Sequence, residues 1–455
     1  MSLDQSRSLD LESPVGSATE LVEWVRGGEK PASQWRVGTE HEKIGLRDDD
    51  LERIGYEGDR GVARILERVA EIDGWAPITE SGRIIALEKD GASITLEPGG
   101  QFELSGAPLR TVFETCDEFQ THLAVMKEAC APLGVSFIGL GISPVGGVEE
   151  SPRMPKTRYR IMREYLPTRG ELALHMMHLT ATVQANLDFS DEADMVEKMR
   201  VGMALSPIVS AVFANSSLER GKPSGFVSRR IEIWRHTDPD RCGLLDWVFD
   251  EGFGYQRYVE WALDVPMFFI LRDERYVATP GLRFRDFLEH GFEGERARLR
   301  DFVTHLTTLF PEVRLKRVIE LRGADAVPAA LTCALPALWK GLLYDAEARQ
   351  GALALIASSS PDQRQQALVD VARRGLGARL GRFGVLELAR ELEDIASAGL
   401  RRIGHAGPTE ADESGFLDPI REQLELGKSP GQVVAERWEG EWARSLPRLI
   451  DYARY

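Results

Sequence analysis

Five glutamates fall at alternate positions in segments that read as strands. Glu40 and Glu42 lie two apart in residues 35–43. Glu97 closes the series Ser93, Thr95, Glu97, and Glu103 follows Gln101 after the turn at Pro98-Gly99-Gly100. Glu320 shares a face with Arg314, Lys316 and Arg322 in residues 313–322. Successive strand side chains point to opposite faces, so each segment sets its polar groups on one side and its apolar groups on the other. Residues 180–189 present Thr180, Thr182, Gln184, Asn186 and Asp188 in the same way. Residues 228–236, read as extended, present Ser228, Arg230, Glu232, Trp234 and His236. One reading is a half-solvated antiparallel sheet with its apolar side inward. The other is that these polar faces converge on one concave surface. Five ionised carboxylates share a site only if cations offset their repulsion. Oxygen ligands without a Cys or His cluster select hard ions, Mg²⁺ or Mn²⁺. Arg and Lys on the same faces supply the other half of a phosphate site. The combined chemistry is that of an ATP-using enzyme.

Other motifs carry less. Gly139-Leu140-Gly141 lacks the third glycine of a dinucleotide fingerprint, since position 144 is Pro144, and no Walker A sequence occurs. His41-Glu42 does not begin a zincin motif, because position 45 is Gly45. His175 and His178 are three apart in a pattern that reads as extended, which favours packing roles over ligation. Residues 154–167 concentrate Lys156, Arg158, Arg160 and Arg163 with Tyr159 and Tyr165. They form either a solvated helix or an anion-binding cap.

The elements that must hold these groups follow from apolar spacing. Helical periodicity spans residues 62–72, 112–133 and 191–213, with a short helix at 21–26 broken by Gly27-Gly28. From about residue 331 the pattern is almost wholly helical, through 362–374, 385–398 and 432–452, the last entered by Ser429-Pro430. The basic run 373–382 reads as a solvated face. Strands do not alternate regularly with helices, which favours an α+β antiparallel or mixed sheet over a doubly wound parallel one. The expected layout is a tail or arm at 1–17, a catalytic sheet-and-helix unit at 18–345, and a helical region at 346–455 packed on the same unit.

The chain has 455 residues, with 56 Lys plus Arg against 72 Asp plus Glu, a formal charge of −16. That balance argues against nucleic acid and anionic membranes as partners. No stretch approaches the roughly 18 apolar residues of a membrane helix. Residues 1–14 have neither a basic n-region nor an apolar h-region. The four cysteines include no CxxC pair, which fits a reducing compartment. These features together lead to the expectation of a cytoplasmic protein.

Longer motifs give a resemblance. TEHEKIGL (39–46), ITLEPGGQFELSGAPL (94–109), MPKTRYRIMREYLP (154–167), TVQANLDFSDEADM (182–195), YVEWALDVPMFF (258–269), LTTLFPEVRLKRVIELRGAD (306–325) and CALPALWKGLLYD (333–345) together resemble the plant-type glutamate–cysteine ligases, from about residue 35 to the last residues. The resemblance implies an antiparallel sheet curved into a funnel, related to the glutamine synthetase catalytic fold, with helices around it. It implies that L-glutamate is phosphorylated by ATP at its γ-carboxylate, and that the amine of L-cysteine then attacks to give γ-glutamylcysteine, the first step of glutathione synthesis. A relative joining glutamate to another amine is the alternative. By position, Glu40, Glu42, Glu97, Glu103 and Glu320 match the metal-ligating carboxylates, and Gln184 stands where distant members place a histidine ligand. Arg158, Arg163, Arg230, Arg241 and Arg322 match substrate or phosphate clamps, with Trp234 as a pocket wall. Plant members use two disulfides as redox control. Cys116 and Cys333 match one pair by context, while the hairpin at 276–281 has no cysteine for the other. The resemblance leaves monomer and homodimer open.

Overall fold

The computed structural model describes residues 10–273, 275–407 and 411–455. Nine strands join in one antiparallel sheet, which does not close into a barrel. In chain order they are β1 (Val37–Arg47), β2 (Ala76–Glu80), β3 (Arg83–Lys89), β4 (Ala92–Leu96), β5 (Phe102–Ser105), β6 (Val135–Ile138), β7 (Thr182–Leu187), β8 (Val313–Leu315) and β9 (Ile319–Asp325). Across the sheet they run β8-β9-β7-β1-β5-β4-β3-β2. The eleven-residue β1 has three neighbours: β5 and β7 flank its first half, and β6 pairs with Ile44 to Arg47.

One face of the sheet is apolar. Leu96, Phe102, Leu104, Val183, Ala185, Leu187, Ile319 and Leu321 are all buried there. Helix α1 (Ala18–Arg26) is N-capped by Ser17, and α2 (Val62–Asp73) packs on β3. Helix α3 (Val112–Cys130) packs on the rear of β1, where Phe119 stacks on His41 at 4.7 Å. It starts at a capping box of Thr111 and Glu114, which satisfies two otherwise orphaned amides. Helices α4 (Thr157–Tyr165) and α5 (Ala173–Leu179) lie toward the polar face. Helix α6 (Glu192–Val212) is capped by Asp191 and packs on β9, and α7 (Arg229–Arg235) follows. The helix Ala334–Leu343 lies on β7 and β1, and it packs in turn against Val385–Ile403. Among the described residues no helix is long and apolar enough to cross a membrane.

Several expectations need correction. Residues 229–235 form α7, not a strand, with Ser228 and His236 as its caps. Ser228 caps it by accepting from the Ile231 amide, a local bond that favours a helix start over a ladder. The histidines His175 and His178 lie on α5 rather than in extended chain. Residues 313–322 are a hairpin, with Arg314 opposite Glu320. The stretch 432–452 is two helices, Pro430–Glu439 and Leu446–Ala453, parted after Gly440. The basic run is solvated as expected, with Arg373, Arg374, Arg379 and Arg382 exposed, but it is not one helix face: it ends a helix and forms a small hairpin, Arg379–Leu380 with Phe383–Gly384. Of the two readings of the N-terminal stretch, residues 11–15 take the docked arm: Leu11 and Ser13 carbonyls accept from Arg300 and Leu299, and the Val15 amide donates to Ala297. Residues 1–9 of the expected tail lie outside the described residues.

Two links tie α3 to the helices behind it. Cys116 and Cys333 are joined as a disulfide with Cα atoms 5.6 Å apart. The buried Lys340 ammonium donates to Glu413 at 2.7 Å, and the same carboxylate accepts the Val112 amide at 2.7 Å. Removing one partner of such a pair leaves a buried charge uncompensated. Glu413→Ala is expected to lower the unfolding free energy by about 3–5 kcal/mol in urea denaturation, and adding Lys340→Met to recover most of that loss.

Candidate active site

The polar face of the sheet is a ladder of facing side chains. Glu42 pairs in register with Glu103, and Glu103 with Thr95; Glu40 lies between Gln184 and Ser105, and Glu320 beside Asn186. Hydroxyls and amides serve the carboxylates. Thr95 and Ser105 donate to Glu103 at 2.7 and 3.2 Å, Asn186 to Glu40 at 2.9 Å, and the Thr182 amide to Glu42 at 3.0 Å. Glu97 follows β4, where the Glu97 amide donates to Gln101 across the turn. That turn needs its glycines. Gly100 has φ +82°, and a Cβ on Gly99 would meet the His178 carbonyl at 2.3 Å.

Charge is divided unevenly along this face. Burial, then repulsion from Glu97 and Glu103, holds the Glu42 carboxyl well above the ordinary range. Burial and the charges of Glu320 and Glu103 raise that of Glu40. Glu320 is fully buried, yet Arg314, Lys316 and Arg322 overcome the effect of burial and hold it well below the ordinary range. Arg314 donates to it from Nε at 3.1 Å and from Nη2 at 2.6 Å, Lys316 pairs with it at 2.6 Å, and Arg322 bonds both Glu320 and, at 2.6 Å, Gln184.

A cavity opens on this face, lined by Glu40, Glu42, Glu97, Glu103, Gln184, Arg158, Arg230, Trp234 and Arg322 among others. Nine of the expected site residues therefore share one space. Arg314, Lys316 and Lys156 line it too, and burial brings the Lys156 ammonium down to about 8. Arg158 makes one long bond, to the Thr307 hydroxyl at 3.3 Å, over the ring of Phe269. Arg230 is anchored on the carbonyls of Gly323 and Arg322. Arg158 Nε, Trp234 Nε1, Gln101 Oε1 and Ser93 Oγ are buried in this wall and have no partner among the described residues, which suits a polar ligand. A second, more apolar cavity adjoins the first and shares Glu40 and Lys316 with it. Trp24, Pro108, Val303, Val318, Arg36 and Arg317 line it as well.

Three expected residues lie elsewhere. Glu320 sits behind the wall, with its cations between it and the cavity. Arg163 turns to His178, donating to its Nε2 at 3.1 Å. Arg241 is wholly buried, paired with Asp238 at 2.6 Å, bonded to the carbonyls of Thr308 and Pro266, and stacked over Phe268. It holds the chain together and does not reach the cavity. Sequence reasoning missed Tyr276 and Phe310, apolar signals with no spacing of their own, and the part of Arg314, which shares its alternation with Lys316.

Among the described residues no three His, Cys, Asp or Glu side chains draw together tightly enough to hold an ion by themselves. The donors around Glu42, with Glu97 and Glu103, still fit a hard divalent cation. They are all oxygen, they lack ion-pair partners among the described residues, and Mg²⁺ commonly takes one or two carboxylates and completes its shell with water and phosphate.

The family model described as glutamate-cysteine ligase family 2 matches residues 36–450. The chloroplastic glutamate–cysteine ligase of Medicago truncatula is 44% identical over 440 residues, 96% of this chain and 85% of that one. The chloroplastic enzyme of Arabidopsis thaliana is 43% identical, over 96% and 82%. The chain belongs to the glutamate–cysteine ligase family. Among solved structures, a glutamate–cysteine ligase from Francisella tularensis in complex with AMP superposes with a TM-score of 0.53 at 12% identity, covering 92% of this chain and 87% of that one, which supports the fold. The expectation of a cytoplasmic protein does not stand against these relatives, which are named as chloroplastic enzymes.

Arg241 and Arg158 separate structure from binding. Arg241→Ala leaves the buried Asp238 with only the longer pair to Arg169 at 3.6 Å, and is expected to cost about 3–5 kcal/mol of stability. Arg158→Ala is expected to leave the thermal midpoint unchanged and to raise the KM of an amino-acid substrate roughly ten- to hundredfold, the loss of about 1.5–3 kcal/mol from a charge-assisted bond.

Proposed function

We propose that the chain joins the γ-carboxylate of L-glutamate to the amine of L-cysteine, with ATP converted to ADP and phosphate, giving γ-glutamylcysteine. One observation carries this reading: within a chain matched to the family over residues 36–450, the acidic ladder and the cationic wall face the same cavity. We read the sheet as one wall of a funnel, residues 18–345 as the catalytic unit and 346–455 as its helical support. Leu368, Val371, Leu388 and Leu392 share a core with Met199 and Leu205.

The two cavities divide the substrates by chemistry. The apolar one, walled by Trp24, Val303 and Val318, suits a base and ribose. The polar one, with Arg158, Arg230 and Lys156, suits the carboxylates of amino acids. They meet at Glu40 and Lys316, so the γ-phosphate and the γ-carboxylate meet there. The carboxylate oxygen bonds the γ-phosphorus as the bond to ADP breaks. The cysteine amine then bonds the acyl carbon, phosphate departs, and the nitrogen sheds its proton. Both steps gather negative charge between two anions, which Lys316, Arg314 and Arg322 offset from fixed positions. Glu42, Glu97 and Glu103 would hold a divalent ion, Mg²⁺ or Mn²⁺, which when bound supplies further charge neutralisation at the phosphates. Tyr276 and Phe310 wall the polar cavity and limit water beside the acyl carbon.

The test is ADP release with glutamate fixed and the amine varied. Release that depends on glutamate and is fastest with cysteine is expected. Equal rates with unrelated amines would point to another acceptor. In the same assay Trp24→Ala is expected to raise the KM for ATP while leaving that for glutamate unchanged.

A further inference from the structure

We infer that the corner at Gln184 and Glu320 takes no metal ion, and that Arg314, Lys316 and Arg322 stand there instead as fixed positive charge facing the transferred phosphoryl group. This rests on the proposed function and deepens it. It also departs from the resemblance, which groups Gln184 and Glu320 with the metal ligands.

The first argument is capacity. An ionised carboxylate offers about four lone-pair positions. On Glu320 all are engaged: Oε1 accepts from Arg314 Nη2 at 2.6 Å and from Arg322 Nη1, and Oε2 accepts from Arg314 Nε at 3.1 Å and from Lys316 Nζ at 2.6 Å. The Gln184 carbonyl accepts from the same Arg322 nitrogen at 2.6 Å. An ion at Glu320 would have to displace a guanidinium or the Lys316 ammonium from a buried carboxylate, which would then lose a charge-assisted bond in a low-dielectric interior. The Gln184 carbonyl keeps one acceptor position, but an ion there would sit against the Arg322 guanidinium that shares the same oxygen.

The second argument is charge. Three cations on one carboxylate leave a surplus of two positive charges, the formal charge of the divalent ion itself. Glu40 and Glu42 also act on Arg322, but from the ladder on β1 rather than from within the group. The corner itself therefore favours phosphate over a metal ion. The other end of the face is the reverse. Glu42, Glu97 and Glu103 accept from hydroxyls and an amide and form no ion pair among the described residues. The third argument is direction. Arg314, Lys316 and Arg322 line the cavity while Glu320 does not. Glu320 is thus a positioning residue, the anion behind the wall that aims three cations through it.

Mn²⁺ binding without turnover tests this, read by the electron paramagnetic resonance of free Mn²⁺ in titrations of the whole chain. Glu103→Gln is expected to weaken Mn²⁺ binding at least tenfold. Glu320→Gln and Gln184→Leu are expected to keep the wild-type number of bound ions, with affinity within threefold. Glu320→Gln should nevertheless lower kcat at least tenfold, as the cations lose their aim. Should Glu320→Gln fail to fold, Gln184→Leu carries the test, since it buries no charge. Loss of one bound Mn²⁺, or weakening beyond threefold, in either folded variant would overturn the inference. A chain that binds Mn²⁺ as expected and releases no ADP with glutamate and cysteine would contradict the proposed function instead.

Discussion

Glu320 has no exposed surface, and the placing of Arg314, Lys316 and Arg322 depends on it. A lone buried carboxylate would give up its charge, and three cations side by side, one buried and two half-buried, would not stay. Together they form a compact group that is stable because each partner needs the others. The rest of the site is organised around that constraint. One end of the sheet face carries surplus positive charge built into the chain. The other, around Glu42, carries surplus negative charge that calls for a cation. A reaction that passes a phosphoryl group between two anions needs both.

The fold supplies the distance control. The long β1 carries Glu40 and Glu42 on one face, and antiparallel neighbours on either side set Gln184 and Glu103 opposite them in register. A slip of one residue would turn every carboxylate into the apolar core. The register is held from behind by packed helices and from the side by the turn at Gly99, which seats against the His178 carbonyl.

Much of this face was legible because strand periodicity is simple. Glu97, Glu103 and Gln184 alternate with apolar neighbours, Glu40 and Glu42 with Thr39, His41 and Lys43, and the structure sets all five around one cavity. Reading residues 313–322 as one segment does no harm, since Arg314 opposite Glu320 in the hairpin keeps even positions on one face. Arg230 and Trp234 survive a wrong assignment for a similar reason: four residues apart, they share a side in strand and helix alike. Their neighbours Glu232 and His236 do not survive it, being paired with each other away from the cavity wall. The alternation also misleads on β1. His41 and Lys43 are polar but face the core, where burial lowers the Lys43 ammonium to about 7 and its nitrogen donates to the His41 carbonyl. Arg163 and Arg241 show what a motif cannot supply. It fixes where the backbone of a long side chain lies, while the partner the side chain reaches, His178 in one case and Asp238 in the other, is set by tertiary packing.

The central claim is that this face activates glutamate before the amine takes part. Positional isotope exchange reads that step directly, using ATP labelled with oxygen-18 in the bridge between its β and γ phosphorus atoms. Reversible transfer to glutamate frees the ADP end to rotate and scrambles the label into non-bridging positions. Scrambling that requires glutamate and proceeds without cysteine is the predicted result. Label that stays in the bridge with glutamate present, or that scrambles equally without it, would contradict the claim.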